Sequence, residues 1–264
     1  MLAGDDYPEE LVAAVGGIER VSIPRQGYTS QTTVVEGGRG TFAIKRTEGE
    51  RFCALLAHEH RVLTALSGTD LPVPRPVLLH RWDEPEGPVA WLVLTHLPGE
   101  HVRTLLNAAE GPEERWTVMR AFGEALALIQ AVPPPPALRE VRLPWLDHMF
   151  SLAAYTLAHY QVEGGPELLE ILRRERPAPE GAAATLVHGD FTMDNVLLEE
   201  GKVTGIIDWS GGEVGDRRYD LAVALDGHAE EFSAEDREAF FTGYGGKPLS
   251  PEERWYFSHL YKFS

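Results

Sequence analysis

Asp190, Asn195 and Asp208 follow one another in the order Asp-x4-Asn-x12-Asp, within Leu186-Val-His-Gly-Asp-Phe-Thr-Met-Asp-Asn-Val-Leu-Leu and Gly205-Ile-Ile-Asp-Trp-Ser. Asp190 lies on a loop running into a strand, Asn195 opens that strand, and Asp208 ends the strand that returns. A hairpin therefore carries both metal-seeking side chains, Asn195 and Asp208, to one end. Phosphoryl transfer from ATP needs that inventory: a carboxylate to orient and deprotonate an attacking hydroxyl, and oxygen ligands for a Mg²⁺ that bridges the phosphates. Asp-x4-Asn alone recurs by chance, so its surroundings decide what it means.

The hairpin reads as Asn195-Val-Leu-Leu, the turn Glu-Glu-Gly-Lys, and Val203-Thr-Gly-Ile-Ile-Asp208. It is set in a region of otherwise helical spacing, with helices expected near 112–131, 145–161, 166–176, 217–226, 234–243 and 251–261. The last two open on capping boxes, Ser233 to Asp236 and Ser250 to Glu253, which supply acceptors for first-turn amides. Pro133 to Pro136 read as a stiff polyproline spacer. Before residue 97 the period differs. A short helix at 8–15 precedes strands at 21–24, 32–35 and 41–45, a helix at 50–66, and strands at 77–80 and 90–95, the last apolar throughout as a central strand is. The break at Leu97-Pro98-Gly99 predicts an α+β chain: a β-rich first lobe over 1–96 and a helical second lobe over 97–264.

Around the three residues stand His188-Gly189, an apolar strand, Ile207-Asp208-Trp209 and Gly215-Asp216-Arg-Arg-Tyr-Asp220-Leu-Ala, in the order of a kinase catalytic loop and its metal-binding aspartate. In this combination the sequence resembles the aminoglycoside phosphotransferase family, which is similar in fold to the protein kinases and includes choline-kinase-like relatives. The resemblance is sharpest over 186–223 and extends more weakly over nearly the whole chain. It implies a bilobal protein-kinase-like fold with an antiparallel-sheet N-terminal lobe and a mainly helical C-terminal lobe. It implies ATP, or GTP, with Mg²⁺ as cofactors, Asp190 as catalytic base or orienting group, and Asn195 and Asp208 as Mg²⁺ ligands. His188 and Asp220 read as hydrogen-bonding braces of the loop, Asp194 as a turn residue and Asp216 as a cap at a helix start.

The same resemblance calls for nucleotide-clamping parts upstream. Lys45 ends Thr-Phe-Ala-Ile-Lys, where a kinase lysine reaches the phosphates, and Glu59 on the next helix is placed to pair with it. Glu59 is preferred to Glu50 because Leu55, Leu56, Val62 and Leu63 surround it. Gly27-Tyr28-Thr29-Ser30 occupies the place of the phosphate-covering turn, with the Thr29 or Ser30 hydroxyl as a contact. Val93-Leu94-Thr95-His96-Leu97 matches the hinge, where backbone groups of Thr95 and Leu97 would meet the base of the nucleotide. Three other patterns fail on inspection. Gly-Tyr-Gly-Gly-Lys-Pro at 243–248 lacks the Ser or Thr and the strand of a P-loop, His58-Glu-His60 lacks zinc spacing on a helix, and Asp208-Trp-Ser-Gly-Gly is no nucleophile elbow.

Only twelve residues carry the chain from Asp208 to Asp220, too few for the peptide-docking platform of a protein kinase, so a small-molecule hydroxyl acceptor is expected. The 264 residues carry 24 basic and 41 acidic side chains, net −17, and residues 100–264 hold −13 of that. Such a field disfavours nucleic acid and anionic lipid and suits a cationic acceptor. Candidate acceptor contacts are Asp147, Glu163, Glu167, Asp226, Glu230 and Glu231, with the terminal Ser264, while Trp145, Tyr155 and Tyr160 offer cation–π faces. The leading expectation is phosphorylation of a cationic aminoglycoside-like antibiotic. A metabolite alcohol such as choline, an amino sugar or homoserine is the alternative, and a non-catalytic nucleotide-binding module the second. A single cysteine, Cys53, the acidic start of the chain and the lack of a long apolar run predict a cytoplasmic protein, a monomer or weak homodimer, with no membrane partner.

Overall fold

The computed structural model describes residues 7–24, 30–139, 144–178, 185–226 and 232–264. Contacts divide the chain into two units, Met1–Pro98 with Asp208–Gly211 and Gly99–Ile207 with Gly212–Ser264. In the first unit α1 (Glu9–Val15) precedes β1 (Arg20–Ser22), β2 (Gln31–Gly37) and β3 (Gly40–Glu48). Then come α2 (Glu50–Leu66), β4 (Pro76–Glu84) and β5 (Gly87–Thr95). The strands form one antiparallel sheet in the order β1-β2-β3-β5-β4.

Alternation along a strand decides which helix each side chain meets. Val89, Trp91 and Val93 of β5 join Phe42 and Ile44 of β3 and Leu11 and Val15 of α1 in one cluster. Ala90, Leu92 and Leu94 point to the opposite face, where α2 packs and buries Cys53, Leu56, Val62, Leu63 and Leu66. Covered on both faces, β5 has no reason to alternate with polar residues, which explains its unbroken apolar run. Opposed residues of an antiparallel pair share a face, and Lys45 stands opposite Leu92. Lys45 therefore projects on the α2 side.

The second unit contains β6 (Glu100–His101), α3 (Val102–Ala108), α4 (Pro112–Ala131), α5 (Trp145–His159) and α6 (Gly165–Arg174). It continues with β7 (Thr185–Val187), β8 (Val196–Glu199), β9 (Lys202–Ile206) and β10 (Glu213–Gly215), and closes with α7 (Arg218–Asp226), α8 (Ala234–Tyr244) and α9 (Pro251–Tyr261). Two small antiparallel sheets, β6-β8-β9 and β7-β10, lie among the helices. Both predicted capping boxes form, at Ser233 and Ser250. The prolines from 133 lead into a single 3-10 turn, Pro136–Leu138. The seven-residue α3 was not expected: only Val102 and Leu106 are buried in it, too few to set up a period. β4 runs four residues beyond the predicted strand because it pairs with β5 as far as Glu84 opposite Gly87.

The loop before β8 is held by aromatic rings. Phe191 stacks on Phe122 of α4 with centroids 4.9 Å apart, and Phe122 meets Phe240 of α8 edge-on at 5.4 Å. That contact needs α4 and α8 to approach closely, and two glycines allow it. A Cβ on Gly243 would stand 1.9 Å from the Arg120 carbonyl oxygen, and one on Gly123 would stand 2.0 Å from that of Phe240. Neither neighbour is a side chain that can turn aside. Gly243→Ala is expected to lose about 1–3 kcal/mol of stability, the cost of overpacking a close contact, read as a lower urea midpoint at unchanged m-value. A midpoint equal to wild type would show that the helices separate freely.

Candidate active site

Lys45 comes off β3 beneath α2, and Glu59 lies one helical face along α2, buried to 1% exposure. Lys45 Nζ donates to Glu59 Oε1 at 2.6 Å and Oε2 at 2.8 Å, and also to Asp208 Oδ1 at 3.0 Å. Glu59 Oε1 takes a further donor, the Trp209 amide, at 3.3 Å. A carboxylate this deep needs such partners, because an unpaired buried charge is costly. Burial works against the Lys45 ammonium, but Asp208 and Glu59 outweigh it and hold the lysine protonated. Burial pushes the Glu59 carboxyl up, with Lys45 pulling the other way. Asp208 adopts a left-handed backbone, φ 65°, a conformation aspartate tolerates better than most side chains. The 3-10 turn Trp209–Gly211 follows it, with Trp209 fully buried.

The loop of the second unit is fixed just as tightly. Asp220 of α7, fully buried, accepts the amides of His188 at 2.7 Å and Gly189 at 2.9 Å. His188 bonds the Ile207 carbonyl oxygen through Nε2 at 2.9 Å, and its Nδ1 accepts the Asp190 amide at 3.3 Å. Nε2 faces a carbonyl oxygen and Nδ1 faces an amide N–H, so the ring bridges an acceptor and a donor. Asn195 Nδ2 donates to the Asp190 carbonyl at 2.8 Å and to Asp190 Oδ2 at 2.9 Å. Across the hairpin the Ile207 amide donates to the Asn195 carbonyl at 2.9 Å, extending the β8–β9 ladder to the residue before Asp208.

Of the nucleotide-contact candidates, Ser30 is half-buried at the start of β2, and Thr29 lies outside the described residues. Thr95 is partly committed to the fold: its amide donates to the Arg75 carbonyl and its Oγ1 accepts the Arg75 amide, both at 2.9 Å. Leu97 is half-buried beyond it. Among the acceptor candidates, Asp147 pairs with Arg176 at 2.7 Å, Glu163 with Lys262 at 3.0 Å, and Asp226 with Arg254 at 2.8 Å. Glu167 is exposed in the first turn of α6, and Glu230 and Glu231 lie outside the described residues. Trp145 is turned to the fold, donating to Glu213 at 2.8 Å, whereas Tyr155 and Tyr160 are exposed.

Several partners of the loop carry no sequence signal. Arg103 grips Asp194 with Nε at 2.7 and 2.8 Å from its two oxygens, so the turn aspartate is an ion-pair anchor. Asp216 accepts the Arg218 amide at 3.0 Å, as a helix-start cap does, and its other oxygen pairs with the Arg218 guanidinium at 2.6 Å. Tyr261 on α9 donates its hydroxyl to Asp190 Oδ1 at 2.5 Å. The Arg103 and Tyr261 contacts span 91 and 71 residues, and no local pattern announces them, whereas the Asp216 cap is local and was expected.

An antiparallel sheet with a buried lysine–glutamate pair, and a helical unit presenting an Asp-x4-Asn loop on a hairpin, define the protein-kinase-like fold of small-molecule phosphotransferases. The model of the phosphotransferase enzyme family matches residues 20–256, and the chain belongs to that family. An aminoglycoside 3'-phosphotransferase of Streptomyces fradiae is 29% identical over 215 residues, covering 73% of this chain and 74% of that protein. One of Escherichia coli is 27% identical over 179 residues, which span 66% of this chain and 64% of the relative, just under two thirds of its length. A solved aminoglycoside-3'-phosphotransferase of type VIII superposes with TM-score 0.78 at 27% identity over 98% of both chains.

Asp220 gives the loop a pH signature. Burial pushes its carboxyl up to about 7, the two amide donors pull it down, and the charges of Asp190 and Glu213 add to the rise. Between about 4, the ordinary carboxylate value, and about 7 the native state keeps a proton that the unfolded chain releases. Stability must then fall as pH rises through that window and level off above it. Asp220→Asn removes the titration and sets an amide N–H₂ against one backbone donor, at a cost of about 1–3 kcal/mol. Urea midpoints at several pH values should therefore decline from pH 5 to 7 in wild type more steeply than in the variant. Equal slopes would assign the titration elsewhere.

Proposed function

We propose that the protein is an ATP- and Mg²⁺-dependent phosphotransferase that moves the γ-phosphoryl group to a hydroxyl of a cationic, aminoglycoside-like small molecule. The observation that carries this reading is the clamped geometry of Asp190, with one carboxylate oxygen fixed by Asn195 and its backbone fixed through His188 and Asp220. A carboxylate so held can accept the proton of an alcohol as it attacks phosphorus. Lys45, aimed by Glu59, holds nucleotide phosphate oxygens, and the backbone at Thr95 and Leu97 receives the base. Asn195 spends its amide nitrogen on Asp190, so its oxygen is the atom it offers a cation, and Asp208 offers a carboxylate of the hard-oxygen class Mg²⁺ prefers. Among the described residues no cluster of three or more His, Cys, Asp or Glu side chains forms a cage for a metal by itself. Mg²⁺ keeps most of its shell for water and phosphate, so two protein oxygens suffice. When bound, the ion neutralises charge on the phosphates.

A second reading, a metabolite alcohol as acceptor, draws support from one cavity in the second unit. It measures about 770 Å³ and is lined by Arg254, Lys262 and His259 against a single carboxylate, Asp226. That balance suits an acceptor bearing its own carboxylate, such as homoserine. A homoserine kinase of Neisseria meningitidis is 40% identical over 77 residues, 27% of this chain.

Purified protein with Mg·ATP should release ADP in the presence of an aminoglycoside such as kanamycin, or else of choline, an amino sugar or homoserine. In Asp190→Asn the turnover is expected to drop about 10²–10⁴-fold, the range of a positioned base, with Mg·ATP affinity by calorimetry retained. Near-normal turnover would remove Asp190 from the mechanism. Lys45→Ala and Glu59→Ala should each impair ATP use, and the double variant should lose less than the two singles together, because the pair acts as one unit. Strictly additive losses would show that Glu59 does not aim the lysine.

A further inference from the structure

Both oxygens of the Asp190 carboxylate are engaged within the second unit. Oδ2 accepts Asn195 Nδ2, a partner from the same loop, at 2.9 Å. Oδ1 accepts the phenol hydroxyl of Tyr261, from the last residue of α9, at 2.5 Å. An O–H···O⁻ contact of that length lies at the short end of charge-assisted bonds. The ring of Tyr261 stands edge-on to Tyr219 at 6.2 Å, and Tyr219 in turn bonds the terminal Ser264 Oγ through its hydroxyl at 2.5 Å. Tyr261 also lines the 770 Å³ cavity, with Asp226, Trp255, His259 and Lys262, a volume within the range of small-molecule sites. One side chain thus forms part of the cavity wall and also touches the base.

Resting on the reading of Asp190 as the base, we infer that Tyr261 is a positioning residue whose hydroxyl occupies Asp190 Oδ1 in the free protein and gives way to the hydroxyl of the acceptor. A base that deprotonates an alcohol presents an oxygen to an O–H donor. With Oδ2 held by Asn195, Oδ1 is the oxygen left for that task, and the phenol sits on it in the donor's place. Water meets the same obstacle. In the side reaction a water oxygen forms a bond to the γ-phosphorus and the bond from that phosphorus to the bridging oxygen of ADP breaks. The water proton passes to Asp190, and the products are ADP and inorganic phosphate. By holding Oδ1 until an acceptor arrives, Tyr261 suppresses this hydrolysis.

The test needs no acceptor: phosphate release from Mg·ATP alone, compared among wild type, Tyr261→Phe, Asp190→Asn and the double variant. Loss of one charge-assisted bond predicts an increase in hydrolysis of about fivefold or more for Tyr261→Phe, and the double variant should be as slow as Asp190→Asn. A Tyr261→Phe rate at or below wild type overturns the inference, and so does an increase that persists without the Asp190 carboxylate. A purely packing role would lower the melting temperature and leave hydrolysis flat, which also overturns it. If the Phe variant does not fold, Tyr261→Leu is read by the same criteria. The inference and the proposed function fail separately. Flat hydrolysis in Tyr261→Phe while Asp190→Asn loses acceptor phosphorylation sinks the inference alone, whereas an Asp190→Asn protein that still phosphorylates its acceptor sinks the base assignment.

Discussion

The loop from His188 to Asn195 has its shape because one buried carboxyl group accepts two consecutive backbone amides. Asp220 takes the His188 and Gly189 N–H groups, and without it the buried His188 donor would be left unpaired. Gly189, with φ 85°, turns the chain at that point, and the following residue is Asp190. The next bonds follow from that turn: the His188 ring bridges from the Asp190 amide to the Ile207 carbonyl, and Asn195 closes the loop onto Asp190. The position of Asp190 is therefore dictated by a helix that begins at residue 218. Helix α7 supplies this acceptor from its first turn, and it also anchors itself through Arg218, which pairs with Asp216 and with Glu253 of α9.

The first unit solves an analogous problem with opposite charges. Its buried carboxylate, Glu59, is satisfied by the Lys45 ammonium and the Trp209 amide, and the lysine is positioned by strand register rather than by its own flexibility. Because Ile44 and Phe42 belong to the α1 side of the sheet, the intervening parity leaves Lys45 no direction but toward α2. Asp208 on Lys45 and the Trp209 amide on Glu59 tie the short segment Asp208–Gly211 to the first unit, although the chain on either side of it belongs to the second. Chain order alone conceals that partition.

What the sequence revealed follows the range of the forces involved. The strands before residue 97, the α2 face and both capping boxes are local, set by neighbours within a few residues, and were legible. So was Glu59 over Glu50, since apolar residues at helical spacing mark the buried face, while Glu50 pairs with Arg81 at the surface. The loop motif was legible because its residues are close in sequence. Arg103 on Asp194, Tyr261 on Asp190 and the pairing of β7 with β10 were not, because each is a single contact between distant elements, chosen by packing with no periodic trace. Helix α3 escaped for the related reason that two buried residues cannot display a period.

The acidity of residues 100–264 shows how global charge and local chemistry diverge. A net −13 suggests carboxylates waiting for a cation, yet Asp147, Glu163 and Asp226 each face an arginine or lysine of this chain. Asp226 is the instructive case. Its side chain is only 7% exposed, burial pushes its carboxyl up, and Arg254 pulls it back down. Among the described residues its two oxygens find no hydrogen-bond donor even so, so the pairing with Arg254 is electrostatic without the directed donors that satisfy Glu59 or Asp220. A carboxylate left in that condition on a cavity wall still has acceptor capacity to offer. On that wall one under-satisfied carboxylate stands beside the cations Arg254 and Lys262, so the net charge of the unit and the local charge of this cavity differ. The sum of charges over the unit therefore does not describe the wall of this cavity, where Asp226 stands among Arg254, His259 and Lys262.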